Sequence, residues 1–223
     1  MQNMQRPQLN KELELIHNEV LRMGSMVEEM ISMVIRSLVN QDAELAQKAI
    51  EYDDEIDAIE TVIVDRSIIF IARQHPLASD LREVIAVTKL TTDLERIGDH
   101  CVDIAKYTLR LKDQKYIKEL IDIPKMAGMV SKMVTQSLNA FVTKDAELAR
   151  ETWLEDDKID ELYHAIYDEL VEMMEDDTKK VLQCTAFISI ISHLERIGDY
   201  STNICERAVY SIEGKYGIDR DNE

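Results

Sequence analysis

The sequence predicts an all-α fold of six long helices, arranged as two similar three-helix bundles in tandem. Three observations support this prediction. Glycine and proline, which interrupt helices, number only six and three among 223 residues. Apolar residues recur every three to four positions over long runs, as they do on amphipathic helices. The pentapeptide Glu-Arg-Ile-Gly-Asp occurs at 95–99 and again, unchanged, at 195–199, which indicates an internal duplication.

The first bundle is predicted within residues 8–113. The spacing of its apolar residues predicts helices over about 8–39, 43–73 and 80–111. Pro7 is expected in the first turn of the first helix, where its missing N–H is tolerated. We expect Asp42 to cap the second helix, and Ser79 or Asp80 to cap the third.

The second bundle is predicted within residues 114–215 and repeats this plan. Its helices are expected over about 124–142, 146–174 and 178–213. Pro124 starts or interrupts the first of them, Thr178 is the expected cap of the last, and Gly214 ends it. Residues 216–223 are expected to form a polar tail.

The two halves match at more than the pentapeptide. The segment 42–46 returns at 145–149 and the segment 53–57 returns at 156–160, both 103 residues later, whereas the pentapeptide copies are 100 residues apart. The difference of three residues falls between the second and third helices of each half. Because loops tolerate changes of length, the three-helix plan is preserved.

Paired acids accompany the first copy of the pentapeptide. Residues four apart share one side of a helix, so Glu95 and Asp99 form a row beside the apolar stripe of the third helix. Asp53 and Asp57 form a similar row on the second helix, its antiparallel neighbour. Both rows lie at comparable distances from the connecting loop, and we expect them to meet in the groove between the helices. We call these four residues the first quartet.

The second half repeats this arrangement. Its second quartet consists of Asp156, Asp160, Glu195 and Asp199. Asp103 and Asn203 occupy the next position of the two pentapeptide rows. Glycine in a helix interior is less favourable than alanine by about 1 kcal/mol, so we expect Gly98 and Gly198 where a neighbouring helix approaches closely.

Clustered carboxylates of this kind suggest a cation site. Acids four residues apart repel each other on a helix, and a cation between two such pairs would convert the repulsion into binding. Oxygen ligands suit magnesium, calcium, manganese or iron. The alternative is that these acids form ordinary solvated helix faces. The duplication of both pairs favours a metal site, with Arg96 and Arg196 as neighbouring positive charges.

Composition and charge exclude several classes of partner. The net charge is −18, which argues against nucleic acid and against anionic membrane surfaces. The longest uncharged stretch, Val181 to Ser192, is shorter than the ~20 residues that span a bilayer, so we expect no membrane insertion. The polar N-terminal segment lacks the apolar region of a signal peptide. None of the three cysteines belongs to a Cys-x-x-Cys pair, which favours a reducing cytoplasm. They are Cys101, Cys184 and Cys205.

No catalytic signature is recognised, and we expect no enzyme activity. His100 and His193 correspond to Tyr200 and Asp93 in the other half, so we interpret both as surface or packing residues and not as ligands. The di-iron enzyme pattern needs Glu-x-x-His on bundle helices, and we expect this motif in neither half. The alternatives to a metal-binding regulator are a carboxylate-bridged metal-storage or metalloenzyme bundle and a metal-free structural scaffold.

Several segments resemble the PhoU family of phosphate-signalling regulators. They are Pro-Leu-Ala-Ser-Asp-Leu-Arg at 76–82, Thr-Asp-Leu-Glu-Arg-Ile-Gly-Asp at 92–99, and His-Leu-Glu-Arg-Ile-Gly-Asp at 193–199 followed by Asn203-Ile204. The resemblance extends from about Leu13 to Tyr210. It implies two three-helix bundles and no catalytic activity.

The resemblance also implies a function and a site. Family members hold multinuclear clusters of iron, zinc, manganese or magnesium on Glu/Asp-x-x-x-Asp motifs, so both quartets carry over as ligands, with Asp103 and Asn203 as weaker candidates. The implied role is to restrain phosphate uptake in the cytoplasm. The implied partners are the ATPase subunit of the phosphate ABC transporter, a phosphate-sensing histidine kinase, and a second copy of the chain in a homodimer.

Overall fold

The structure is a computed structural model that describes residues 2–215, 217 and 218. These residues contain helices and no strand, as predicted. The helices are α1 (Gln2–Asn40), α2 (Ala43–Gln74), α3 (Ala78–Leu111), α4 (Asp122–Thr143), α5 (Ala146–Leu154), α6 (Asp156–Asp176) and α7 (Val181–Glu213), with a 3₁₀ turn at Thr178–Lys180 before α7. Six rods result, because α5 and α6 together form the predicted fifth helix.

The rods form two three-helix bundles that lie side by side. Helices α1, α2 and α3 pack on one another, and so do α4, α5–α6 and α7. The bundles meet where α3 packs along α7 and α1 packs on α4. Their apolar faces join into one continuous core, in which the side chains of Phe70, Phe141 and Phe187 are fully buried.

A single tight turn interrupts the fifth rod. The Glu155 amide donates to the Thr152 carbonyl at 3.1 Å, and the Lys158 amide donates to the Glu155 carbonyl at 3.1 Å. Both bonds span three residues instead of the four of an α-helix. The local sequence contains no glycine or proline and does not explain the interruption. Its consequence is that Asp156, a member of the second quartet, is the first residue of α6.

The predicted aspartate cap of α2 is confirmed, and the corresponding aspartate caps α5. Asp42 accepts a hydrogen bond from the Leu45 amide at 2.9 Å. Asp145 accepts from the amides of Glu147 and Leu148 at 3.1 and 3.0 Å. Each carboxylate therefore satisfies amides that have no partner within the helix.

Replacing either cap by alanine is expected to destabilise the protein by about 1 kcal/mol, because an unpaired amide remains at the helix start. For a chain of this length, Asp42→Ala or Asp145→Ala should lower the melting temperature by about 2–4 °C. Thermal unfolding followed by circular dichroism measures this shift. Asp168→Ala, on an exposed face of α6, is the control. A cap variant that melts like the control would contradict this role.

Three other predicted helix starts are corrected. Helix α1 begins at Gln2, before Pro7, because the intervening residues do not oppose helix. Helix α3 begins at Ala78 without a side-chain cap, so Ser79 and Asp80 lie inside it. Thr178 does not cap α7, which begins at Val181 without a side-chain cap; the 3₁₀ turn before it is capped by Asp177, which accepts from the Lys179 amide at 3.0 Å.

The predicted C-terminal tail is described only in part, whereas all three cysteines are described. Of the predicted tail 216–223, only Gly217 and Ile218 are described, and Ile218 packs on the core; the other six residues lie outside the described part. Cys101, Cys184 and Cys205 are free and buried. Within the described residues, no helix has the length and apolarity needed to cross a bilayer.

Candidate metal centre

Each pentapeptide glycine makes room for an aspartate of the neighbouring helix. A Cβ atom added at Gly98 on α3 would lie 2.8 Å from Asp53 Oδ1 of α2. A Cβ at Gly198 on α7 would lie 3.0 Å from Asp156 Oδ1 of α6. The expected close approach is thus present in both bundles, and the group that approaches is a carboxylate. The same cradle, built twice, is suited to fixing one ligand of a cation.

The first quartet converges in the groove between α2 and α3. Burial, together with the negative charges of Asp57 and Asp99, raises the pKa of Asp53 to about 6. Burial also raises the pKa of Glu95, with Asp99 and Asp57 contributing. The four predicted ligands are therefore close enough to repel one another.

The second quartet converges in the same way between α6 and α7. Burial, together with the negative charges of Asp160, Asp199 and Glu195, raises the pKa of Asp156 to about 7. Burial likewise raises the pKa of Glu195 and Asp199, and Asp160 contributes to both. An acid in such surroundings holds its proton more tightly unless a cation neutralises the group.

Few positive side chains compensate this charge. Arg96 pairs with Glu95 at 3.4 Å and with Asp99 at 3.0 Å. In the described part of the chain, no lysine or arginine nitrogen lies within 4.0 Å of Asp53, Asp57 or any carboxylate of the second quartet. In the second quartet, Arg196 lowers the pKa of Glu195 and Asp199 from a greater distance, without an ion pair of this length.

The carboxylate oxygens of each quartet are too far apart to coordinate one ion together in their present positions. Among the described residues, no three acids of either quartet have oxygens that all lie within 4.8 Å of one another. Mutual repulsion of ionised carboxylates favours such separation, and a cation would draw the oxygens inward. The donor set is oxygen only and half-buried except for the exposed Asp57, and it fits a hard or borderline cation. Of the two weaker candidates, Asp103 pairs with Lys106 at 2.9 Å and Asn203 is half-buried.

The raised pKa of Asp156 makes the stability of the metal-free protein depend on pH. The folded-state pKa lies above the unfolded value, so the stabilising effect of the protonated form is complete below about pH 4 and is lost as pH rises to about 7. The full shift would correspond to roughly 4 kcal/mol, and solvent access to this half-buried group reduces that to about 1–2 kcal/mol.

Asp156→Asn should therefore raise the melting temperature of the metal-free protein at pH 8, by about 3–6 °C. At pH 4 the variant and the wild type should melt within about a degree of each other, because the wild-type acid is protonated there. Calorimetry at both pH values in the presence of chelator measures the two differences. Asp168→Asn is the control on the same helix, and an equal gain at both pH values would contradict the assignment.

The expectation that neither half contains Glu-x-x-His was wrong. Glu14 and His17 have this spacing on α1, and Glu161 and His164 have it on α6. Glu14, Glu161 and His164 are exposed. His17 Nε2 lies 3.0 Å from an oxygen of the buried Glu83. These residues therefore do not form the inward-facing ligand set of a di-iron bundle.

Two histidines interpreted as surface or packing residues meet across the bundle interface. Nδ1 of His100 on α3 and Nδ1 of His193 on α7 are 3.0 Å apart, and Asp103 lies beside them. Burial lowers the pKa of both imidazoles. Sequence spacing could not indicate this contact, because the histidines belong to different bundles and are 93 residues apart.

Comparison with known proteins identifies the family. The model of the PhoU domain matches residues 20–108 and again 123–208. The chain belongs to the PhoU family. The two matched segments correspond to the two bundles, each with its own quartet.

Relatives match nearly the whole chain. The phosphate-specific transport system accessory protein PhoU homolog of Clostridium acetobutylicum is 42% identical over 213 residues, which cover 95% of this chain and 97% of the relative. The crystal structure of PhoU from Pseudomonas aeruginosa has a TM-score of 0.88 at 34% identity and covers 92% of this chain and 99% of that one.

A second crystal structure agrees. It is that of the phosphate transport system regulatory protein PhoU from Streptococcus pneumoniae, with a TM-score of 0.88 at 33% identity, covering 94% of this chain and 99% of that one. These names describe accessory and regulatory proteins, which agrees with the prediction that the chain is not an enzyme.

Proposed function

We propose that this chain is a regulatory accessory protein of a phosphate-specific transport system. The proposal is supported by family membership and by relatives with that name over nearly the full length of the chain. The all-α fold of two joined bundles offers long surfaces for protein partners. We further propose that the chain restrains phosphate uptake in the cytoplasm when phosphate is plentiful.

The regulatory partners belong to the same proposal. The chain would contact the ATPase subunit of the phosphate ABC transporter and a phosphate-sensing histidine kinase, and so couple transport to signalling. It would act as a homodimer. The net charge of −18 favours partner surfaces that carry basic residues. Affinity purification of the tagged chain should retain both partners. Analytical ultracentrifugation should give twice the 25.7 kDa mass of one chain.

Metal binding is the chemical part of the proposal, and the duplicated carboxylate cradle carries it. Asp53, Asp57, Glu95 and Asp99 would hold ions in the first groove. Asp156, Asp160, Glu195 and Asp199 would hold them in the second. Bound ions would neutralise carboxylates whose pKa values are raised by burial and by one another. Gly98 and Gly198 position one aspartate in each groove by leaving space for its oxygen.

Deletion of the gene tests the regulatory role. We expect phosphate uptake at high external phosphate to rise in the deletion strain and to return to the starting rate when the wild-type gene is restored. The grooves can be neutralised by combining Asp53→Asn and Glu95→Gln with Asp156→Asn and Glu195→Gln. This variant, with both quartets neutralised, should restore uptake control only in part, because the grooves would bind ions much more weakly. Unchanged uptake in the deletion strain would contradict the regulatory role, whatever the metal content of the protein.

A further inference from the structure

Three potential ligands converge where the two bundles meet. His100 and Asp103 lie one turn apart on α3, and His193 lies opposite them on α7. The Nδ1 atoms of the two histidines are 3.0 Å apart, and one ligand atom from each of the three residues lies within 4.8 Å of the others. Within the described residues, this is the one group of three or more His, Cys, Asp or Glu side chains with that spacing.

The nitrogen spacing suits a shared ion. Zinc–imidazole bonds are roughly 2.0–2.1 Å long, so two nitrogens on one ion lie roughly 2.9–3.4 Å apart at bond angles of about 90–110°. The observed 3.0 Å is within this range. Two imidazoles and one carboxylate are a donor set for zinc, iron(II) and similar ions, in contrast to the oxygen-only quartets.

The surroundings hold the three side chains in place. The ring of Tyr200 lies 5.6 Å from that of His100, and the ring of Tyr107 lies 6.1 Å from that of His193. Lys106 donates to Asp103 Oδ1 at 2.9 Å. A carboxylate offers about four lone pairs on two oxygens, so this bond orients Asp103 and leaves its second oxygen for an ion.

Solvent reaches the cluster through an open cleft. The cleft has a volume of about 400 Å³, and its lining includes His100 and Asp103 of the cluster together with Asp99 of the first quartet. All three potential ligands are half-buried. A partly hydrated ion can therefore reach His100 and Asp103 from the cleft without opening the bundles.

The cluster is not a copy of the duplicated site. Positions 100 residues apart correspond in the two halves of the chain. The counterparts of His100, Asp103 and His193 are Tyr200, Asn203 and Asp93, in that order. At that matching place on the interface, Asp93 lies 3.8 Å from Arg207. The interface thus has an ion pair at one of its two related positions and the nitrogen-rich cluster at the other.

We propose that His100, Asp103 and His193 form a third metal site, which differs from both quartets in its imidazole ligands and binds one zinc ion or a similar first-row transition ion. Asp103, a weaker candidate beside the first quartet, is thereby assigned to the histidine site. Two of its ligands come from α3 and one from α7, so the ion links the first bundle to the second. The site does not depend on the regulatory role or on ions in the carboxylate grooves.

Zinc X-ray absorption tests the site without any substitution. Wild-type protein that carries one equivalent of zinc should show the outer-shell scattering of imidazole, with nitrogen ligands roughly 2.0–2.1 Å from the metal. Oxygen-only grooves cannot give this signal. A spectrum without imidazole scattering would overturn the proposal, and it would leave the metal function of the quartets intact.

Matched histidine variants provide the second test. In protein with both quartets neutralised, we expect one zinc equivalent to remain, as measured by calorimetric titration. His100→Asn and His193→Asn should each weaken its binding by roughly 100-fold, since even outer-shell changes reach that size. His75→Asn, at an exposed left-handed position that asparagine accepts, is the control. Equal zinc affinity in all three variants would overturn the proposal.

Discussion

Replacing two acids of each quartet by amides is expected to weaken metal binding strongly in both carboxylate grooves. In a variant that combines Asp53→Asn and Glu95→Gln with Asp156→Asn and Glu195→Gln, each groove loses two negative oxygen ligands at nearly constant volume. Hard cations depend on charged oxygen ligands, so we expect at least roughly 100-fold weaker binding in each groove. Manganese serves as the probe, because it suits oxygen ligands and is measured by elemental analysis after dialysis.

Half variants make this prediction more specific. Asp53→Asn with Glu95→Gln should remove the manganese of the first groove alone, and Asp156→Asn with Glu195→Gln that of the second. At a manganese concentration 100 times the dissociation constant of a groove, each groove that binds one ion should stabilise the wild type by about 2.7 kcal/mol. Each occupied groove should then raise the melting temperature by about 5–10 °C, and the fully neutralised variant should show no such rise.

The control for this series is Asp54→Asn, which removes one exposed acid next to Asp53. It reduces the overall charge and leaves every member of the quartets in place, so its manganese content should equal that of the wild type. If Asp54→Asn loses as much manganese as Asp53→Asn, binding reflects general acidity and not the grooves.

Replacing the groove glycines by alanine is expected to weaken metal binding without removing a ligand. The Cβ of Gly98→Ala would meet Asp53 Oδ1 at 2.8 Å, and that of Gly198→Ala would meet Asp156 Oδ1 at 3.0 Å. Both separations are shorter than an ordinary contact, so each carboxylate must shift by several tenths of an ångström. Because ligand position determines affinity, we expect roughly 10–100-fold weaker manganese binding, measured by calorimetric titration.

Gly128→Ala provides the matched control. Gly128 lies in α4, and a Cβ added there would have no atom within 4 Å. Alanine should therefore stabilise the helix by about 1 kcal/mol and leave manganese affinity unchanged. Equal manganese affinities for Gly98→Ala, Gly198→Ala and Gly128→Ala would show that the glycines do not position the ligands.

The fold could be predicted because its determinants are local and repeated. Apolar residues at helical spacing predict the rods, and the aspartate that ends each break, Asp42 or Asp145, supplies a cap by its own side chain. The turn at Glu155 was missed because its residues resemble the helix on either side. At the start of α3, where Ser79 and Asp80 were both plausible caps, the backbone begins the helix without one.

The quartets could be predicted because spacing along two neighbouring helices defines them. Residues four apart share a helix face, and a short loop places the two faces opposite each other. The contact between His100 and His193 depends instead on how one bundle packs against the other. The periodicity of either half contains no information about that packing, so the histidines were interpreted by their mismatched counterparts, Tyr200 and Asp93.

Anomalous scattering from crystals grown without chelator and soaked in manganese tests the central claim most directly. We predict anomalous peaks in two places. One lies between α2 and α3 beside Gly98, within bonding distance of first-quartet carboxylates. The other lies between α6 and α7 beside Gly198, at the second quartet. Soaked crystals in which neither groove contains a peak would contradict the claim that these duplicated carboxylates form metal sites.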